Sequence, residues 1–316
     1  MTQPILDVSA QQATAEAGQA PDWLRWALSQ RSTSRHVEAK GKRLHVLCWN
    51  AERQDLPALL FVHGFRGHAH WWDFIAPFFV EHHRVYAMDL SGMGDSDHRQ
   101  GYSSGELADD VIAVAEAVGN GPLVAVGHSY GGSRILRACA RRPELFLRLV
   151  VIDSYVVASH DPPLREPVRI RGTNAYATLE EGMARFRLMP AQPDGMPALL
   201  AHVARHSLKQ TAEGWRWKFD PDMPAGGDRE RNGEEMLAQV TRPVDYVRGE
   251  RSVVATEERA RFIIEHLPQV RGPIVIPDGH HHLMFDQPIA LIGVLRALLA
   301  DAGHGRQAPT HRIITE

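Results

Sequence analysis

Gly127-His128-Ser129-Tyr130-Gly131 is the stretch on which the reading of this chain turns. It follows the apolar run Leu123-Val124-Ala125-Val126 and precedes the helix-like run from Gly132 to Ala140. A serine set between a buried strand and a helix, with glycine two residues before and two after, reads as a nucleophile elbow. There the turn is so tight that the serine backbone is strained and its hydroxyl stands clear of the sheet. Small residues are required at both flanking positions, and Gly132 lets the helix approach the strand closely. As a bare five-residue pattern the motif also fits a glycine loop with a chance serine; its place between strand and helix favours the elbow.

Outward from the elbow, strand and helix patterns alternate. Strands are expected at residues 43–49, 58–62, 84–88, 123–126 and 147–152, with helices at 70–80, 104–118 and 132–141. Strands that are apolar throughout and separated by helices imply a mainly parallel sheet covered on both faces. After residue 152 the alternation stops, and the chain becomes rich in Arg, Met, Trp, Pro and Gly, with only short helical patterns such as those at 178–188 and 197–208. It resumes at 244–248, 256–267, 274–276 and 288–300. The expected organisation is an N-terminal extension (1–34) with a short amphipathic helix at 21–30, an α/β core (35–154 and 241–302), a cap insertion (155–240) and a C-terminal tail (303–316).

With 316 residues the chain exceeds a typical compact domain but suits one α/β domain carrying an insertion. A net charge of −3 gives no electrostatic reason to expect nucleic acid or an anionic membrane as partner, and a small, near-neutral substrate is the easier expectation. Cys48 and Cys139 are the two cysteines, so no disulfide framework is suggested. The first 20 residues lack a basic segment followed by an apolar core, and no run of about 18 apolar residues exists, so a cytoplasmic protein is expected. Oligomeric state is left open.

Four landmarks, His63-Gly64-Phe65, Asp89-Leu90-Ser91-Gly92-Met93-Gly94-Asp95-Ser96, Gly127 to Gly131, and His280-His281-His282-Leu283-Met284-Phe285-Asp286-Gln287-Pro288, resemble in kind and order those of the α/β-hydrolase fold family. The resemblance spans roughly residues 35–300 and is weak within the insertion. It implies an α/β fold: a mainly parallel eight-stranded sheet with flanking helices and an inserted helical cap between the sixth and seventh strands. It further implies Ser129 as nucleophile and His281 as its base, because family members usually place the histidine five residues before the acidic position held here by Asp286. His280 is the alternative base. The backbone amides of Phe65 and Tyr130 fall where the family builds its oxyanion hole, and Asp89 and Asp95 fall in a turn whose carboxylates cap backbone amides. The three consecutive histidines lack a cysteine or carboxylate at ligand spacing, so no metal site is expected of them.

The acid is where the chain departs from the commonest family pattern. Relatives usually carry an aspartate three residues past a glycine after the seventh strand, whereas Gly249-Glu250-Arg251-Ser252 puts a serine there. Asp153, closing Val150-Val151-Ile152, occupies the place a dehalogenase-like branch uses and is the preferred acid. Glu250 is the alternative, a purely structural Asp153 stays open, and both positions are expected at strand ends near solvent. The chemistry implied is hydrolysis of a carboxylic ester of a small, largely neutral or apolar substrate, through an acyl-enzyme on Ser129, without metal or organic cofactor. Serine rather than aspartate at the elbow argues against epoxide and haloalkane hydrolysis. A carbon–carbon bond (diketone) hydrolase and a hydrolase-fold ligand receptor are the alternatives. The run Trp215-Arg216-Trp217-Lys218-Phe219 is expected to line a pocket or to form the insertion's own small core.

Overall fold

A computed structural model of the chain describes residues 20–161, 175–193, 195–223 and 232–300. In chain order the strands are β1 (Thr33–Ala39), β2 (Lys42–Trp49), β3 (Ala58–Val62), β4 (Arg84–Met88), β5 (Leu123–His128), β6 (Phe146–Ile152), β7 (Leu208–Thr211), β8 (Gly214–Trp217), β9 (Val244–Gly249) and β10 (Val270–Ile276). The helices are α1 (Asp22–Ser29), α2 (Ser104–Val118), α3 (Tyr130–Arg141), α4 (Leu179–Met183), α5 (Pro197–His206), α6 (Gly233–Ala238), α7 (Glu257–His266), α8 (Leu283–Asp286) and α9 (Pro288–Ala300).

Eight strands form one sheet in the order β1-β2-β4-β3-β5-β6-β9-β10, parallel from β4 onward, with β1 and β2 antiparallel at one edge. The central strands β3, β4 and β5 are buried along their whole length, which is why they read as unbroken apolar runs. Alternate residues of β3 feed two separate core layers. Leu60 and Val62 pack with Leu107, Val111, Ile135 and Leu136 on one face. Leu59 and Phe61 pack with Trp72, Phe74, Phe285 and Leu295 on the other. Local signals set several element ends: α2 opens on a capping box in which Ser103 Oγ accepts from Glu106 N (3.1 Å) and the Glu106 carboxylate accepts from Ser103 N (2.9 Å).

Two expectations are corrected, and one strand is added to those expected. Residues 70–80 form two short 3-10 turns, Ala69–Trp72 and Ala76–Phe79, instead of one α-helix; Pro77 supplies no N–H for a continuous helix, and burial of Trp71, Trp72, Phe74, Ile75 and Phe79 left no polar stripe to betray the break. β1 went unnoticed because it is an edge strand with polar, mostly exposed residues. Between β6 and β9 the described residues hold three short helices and also the antiparallel hairpin β7–β8, so the insertion is not purely helical. Trp215 bridges to Tyr176, the Trp217 and Phe219 rings stack 6.2 Å apart, and the Arg66 guanidinium of the loop after β3 lies 4.7 Å over the Phe219 ring, so the aromatic run packs both within the insertion and against the core. The insertion docks on the rest through Leu188, Leu199 and Val203, which join the second core layer, and through His68–Ser207 (2.8 Å), Gln192–His282 (2.8 Å) and Lys218–Asp95 (2.6 Å). No helix among the described residues is long and apolar enough to cross a membrane.

Candidate active site

The elbow is built by the omission of side chains. β5 ends at His128 and α3 begins at Tyr130, leaving Ser129 alone to reverse the chain with φ 51° and ψ −117°. A Cβ on Gly127 would lie 2.7 Å from the Gly131 carbonyl, and one on Gly131 would lie 2.5 Å from the carbonyl oxygens of both Val62 and His63. The strained turn is held by its own backbone: Ser129 N donates to Ile152 O (2.8 Å), and Ser129 O accepts from Ser154 Oγ (2.6 Å) and Gly132 N (3.0 Å). Ser129 itself is half-buried.

Tyr130 is the first residue of α3, so its amide has no acceptor within the helix. Phe65 follows Gly64 in the loop after β3, and its ring meets the Tyr130 ring edge-on at 5.3 Å. That loop is tied down by His63, whose Nδ1 donates to Gly64 O (2.7 Å) while Nε2 accepts from Leu90 N (3.1 Å). Burial pushes His63 below the ordinary histidine range, so it stays neutral and keeps both bonds. Asp89 works in the same neighbourhood as a cap: it accepts from Ala69 N (2.5 Å) and Asp95 N (2.8 Å) and faces His45 Nδ1 at 2.7 Å. Burial opposes its charge, yet the bond to His45 holds it well below the usual carboxylate range.

The structure brings Asp153 and His281 together across 128 residues, with Asp153 Oδ1 2.7 Å from His281 Nδ1. Asp153 sits directly after β6 with φ 45° and is fully buried, correcting the expectation that this strand end lies near solvent. Its buried charge is met by Gly249 N donating to Oδ2 (2.7 Å) and Ser252 Oγ donating to Oδ1 (2.5 Å). Ser252, which stands where relatives usually carry an aspartate, is therefore a hydrogen-bond donor to Asp153 from the neighbouring strand. Glu250 is exposed and accepts from Asp278 N (2.9 Å), away from this group.

The three consecutive histidines go separate ways. His280 Nδ1 lies 2.9 Å from Asp286 Oδ2, His282 Nδ1 lies 2.9 Å from Gln192 Oε1, and His281 alone faces Asp153. Sequence reasoning missed His128, the variable residue of the elbow motif. Its Nε2 donates to the His281 carbonyl (2.9 Å), and its ring stands 4.9 Å from the His281 ring, so the residue beside the elbow serine anchors the loop that carries His281. Burial and the nearby His281 push both His128 and His282 well below the ordinary histidine range.

Comparisons with known proteins bear on the family and the fold. A family model described as alpha/beta hydrolase family matches residues 59–294. The esterase Rv0045c of Mycobacterium tuberculosis is 28% identical over 253 residues, covering 77% of this chain and 83% of that one. The 2-(acetamidomethylene)succinate hydrolase of Mesorhizobium japonicum is 27% identical over 277 residues, covering 80% and 90%. The crystal structure of E-2-(acetamidomethylene)succinate hydrolase superposes with a TM-score of 0.71 at 21% identity, covering 85% of this chain and all of that one.

Proposed function

The chain belongs to the alpha/beta hydrolase family, and from that premise we propose that it hydrolyses carboxylic esters of small, largely neutral or apolar substrates through an acyl-enzyme on Ser129. The observation that carries this reading is the hydrogen bond from His281 Nδ1 to the buried Asp153, which orients an imidazole on the loop that His128 ties to the elbow. With Nδ1–H held by the carboxylate, His281 has Nε2 left as the basic nitrogen.

In the proposed cycle Ser129 Oγ attacks the ester carbonyl carbon as His281 Nε2 takes its proton. The tetrahedral oxyanion is met by the backbone amides of Tyr130 and Phe65, fixed in advance by the helix start and by the His63-tied loop. Collapse expels the alcohol, which receives the proton from His281. Water, deprotonated by the same imidazole, then attacks the acyl carbon and frees Ser129 with release of the acid. Asp153 stays ionised throughout and stabilises the imidazolium. The insertion is assigned as a cap that buries the acyl group and excludes water, and its contacts to His282 and Asp95 support that role.

The reading is tested with p-nitrophenyl esters of increasing chain length, alongside a diketone, using the wild type and Ser129→Ala. Ester turnover that disappears in Ser129→Ala, with a serine-directed phosphonate labelling Ser129, supports it. Turnover of the diketone without ester hydrolysis assigns the site to carbon–carbon cleavage instead, and tight ligand retention with no turnover assigns it to a receptor.

A further inference from the structure

Away from the Asp153–His281 pair, the docking of the insertion gathers four metal-ligating side chains from two distant parts of the sequence. Helix α5 carries His202 and His206 four residues apart, hence on one face. Opposite them the 3-10 turn after β3 presents His70, with Asp73 immediately beyond its end. One donor atom from each of His70, Asp73, His202 and His206 lies within 4.8 Å of every other. Asp73 Oδ2 is 2.8 Å from both His70 Nδ1 and His202 Nε2.

We propose that these four residues bind a divalent transition-metal ion of borderline softness, Zn²⁺ being the best match, and that the ion clamps the insertion onto the core. Three imidazoles and one carboxylate are a donor set suited to such an ion, and four donors meet its tetrahedral preference. Two details go beyond what a hydrogen-bonded latch requires. His206 Nδ1 donates to the His202 carbonyl (2.8 Å), which fixes the tautomer and leaves the Nε2 lone pair for a ligand, the arrangement that orients histidines at metal centres. Asp73 Oδ1 is buried without a hydrogen-bond partner, an unmet acceptor beside the oxygen that faces the two imidazoles.

A tetrahedral ion with bonds of about 2.0–2.1 Å separates its ligand atoms by roughly 3.3 Å, so side-chain rotations must draw the widest pair inward by about 1.5 Å. The stacked His70 and His206 rings, 4.0 Å apart, would swing open toward the ion at the same time. Binding would replace the hydrogen bonds now made between Asp73 Oδ2 and its two histidines with bonds to the ion. Because the ligands join the insertion to the core, the ion would stabilise their docked arrangement by RT ln(1 + c/Kd), growing with the free ion concentration c.

The full-length chain, freed of metal by chelation, is titrated with Co²⁺ as a spectroscopic probe, then with Zn²⁺ in competition, and thermal midpoints are recorded with and without Zn²⁺. The proposal expects one Co²⁺ per chain with visible absorption of a four- or five-coordinate centre, displaced by Zn²⁺, and a raised midpoint. His206→Gln and Asp73→Asn should each weaken Co²⁺ binding by at least about tenfold and remove the thermal shift, whereas His280→Gln should retain both. Should His206→Gln fail to fold, Asp73→Asn and His202→Gln carry the test. Undiminished Co²⁺ binding in the folded variants would place the ion elsewhere, and an absence of stoichiometric binding in the wild type would leave the cluster a hydrogen-bonded latch; either result overturns the proposal.

Discussion

Ser252 Oγ donates a 2.5 Å hydrogen bond to Asp153 Oδ1, the same oxygen that faces His281 Nδ1. Ser252 is itself held by two amides, Val254 N (3.2 Å) and Ala255 N (3.1 Å), so it presents its proton to the acid in a fixed direction. If Asp153 orients and charge-stabilises His281, Asp153→Asn should lower turnover by on the order of 10⁴, the scale found for the serine-protease aspartate. Ser252→Ala should lower kcat by roughly tenfold with KM unchanged, and Ser252→Thr should restore most of it. Glu250→Gln should be close to wild type. Steady-state kinetics of the four variants would reassign the acid if Glu250→Gln proved the crippling change.

His128 anchors the backbone of His281 through a buried bond from Nε2. His128→Phe keeps the ring volume but leaves the carbonyl without its donor, which costs about 1–3 kcal/mol in a buried site. The expected outcome is a modestly lowered thermal midpoint together with a ten- to hundredfold loss in kcat, since a loosened loop misplaces the imidazole. A variant that lost stability while keeping full kcat would show that the bond braces the loop without positioning the base.

Gly131→Ala should cost more than about 3 kcal/mol of stability, or prevent folding, because the new methyl would stand 2.5 Å from two backbone carbonyl oxygens of β3 and its following loop. Denaturant unfolding compared with Gly293→Ala, where nothing lies within 4 Å of the added carbon, is the control. Equal stability of the two variants would mean that the elbow relaxes far more easily than its geometry implies.

Burial holds His63, His68, His128 and His282 below the ordinary histidine value, and His83 and His206 shift the same way, His206 to about 4. In the unfolded chain each takes a proton near pH 6.5, which the folded protein refuses. Acidification therefore favours unfolding, by up to about 1.4 kcal/mol per pH unit for each fully buried histidine. His45 opposes this: burial lowers its affinity for a proton, but the bond to Asp89 raises it overall, so its contribution is present below pH 6.5 and fades as pH rises through its folded value. Six against one, the thermal midpoint should fall steadily from pH 7 to pH 5. A flat or rising midpoint over that interval in calorimetry would contradict the neutral state of the buried imidazoles.

Local physics made much of the fold legible without coordinates. The apolar runs of β3, β4 and β5 are readable because strands covered on both faces need no polar side. The span of α2 is readable because Ser103 and Glu106 close its first turn on themselves. The elbow is readable because only glycine tolerates the approach of α3 to β3 and β5. Edge strand β1 and the hairpin β7–β8 were missed, since short or exposed strands carry little apolar signal.

What the chain order alone left undecided were the relations that need two distant segments in one place. The sequence singled out Ser129, His281 and Asp153 as candidates, but the choice among neighbouring histidines and acids is a matter of direction. Tertiary packing points His280 at Asp286, His282 at Gln192 and His281 at Asp153, while it turns Glu250 outward. The pairing of Ser252 with Asp153, of His128 with His281, and of His70 and Asp73 with His202 and His206 has no signature in residue spacing, because the partners lie about a hundred residues or more apart along the chain. Hydrogen bonds are made over about 3 Å of space, and only the folding of the parallel sheet, with its insertion docked, converts those separations into contact.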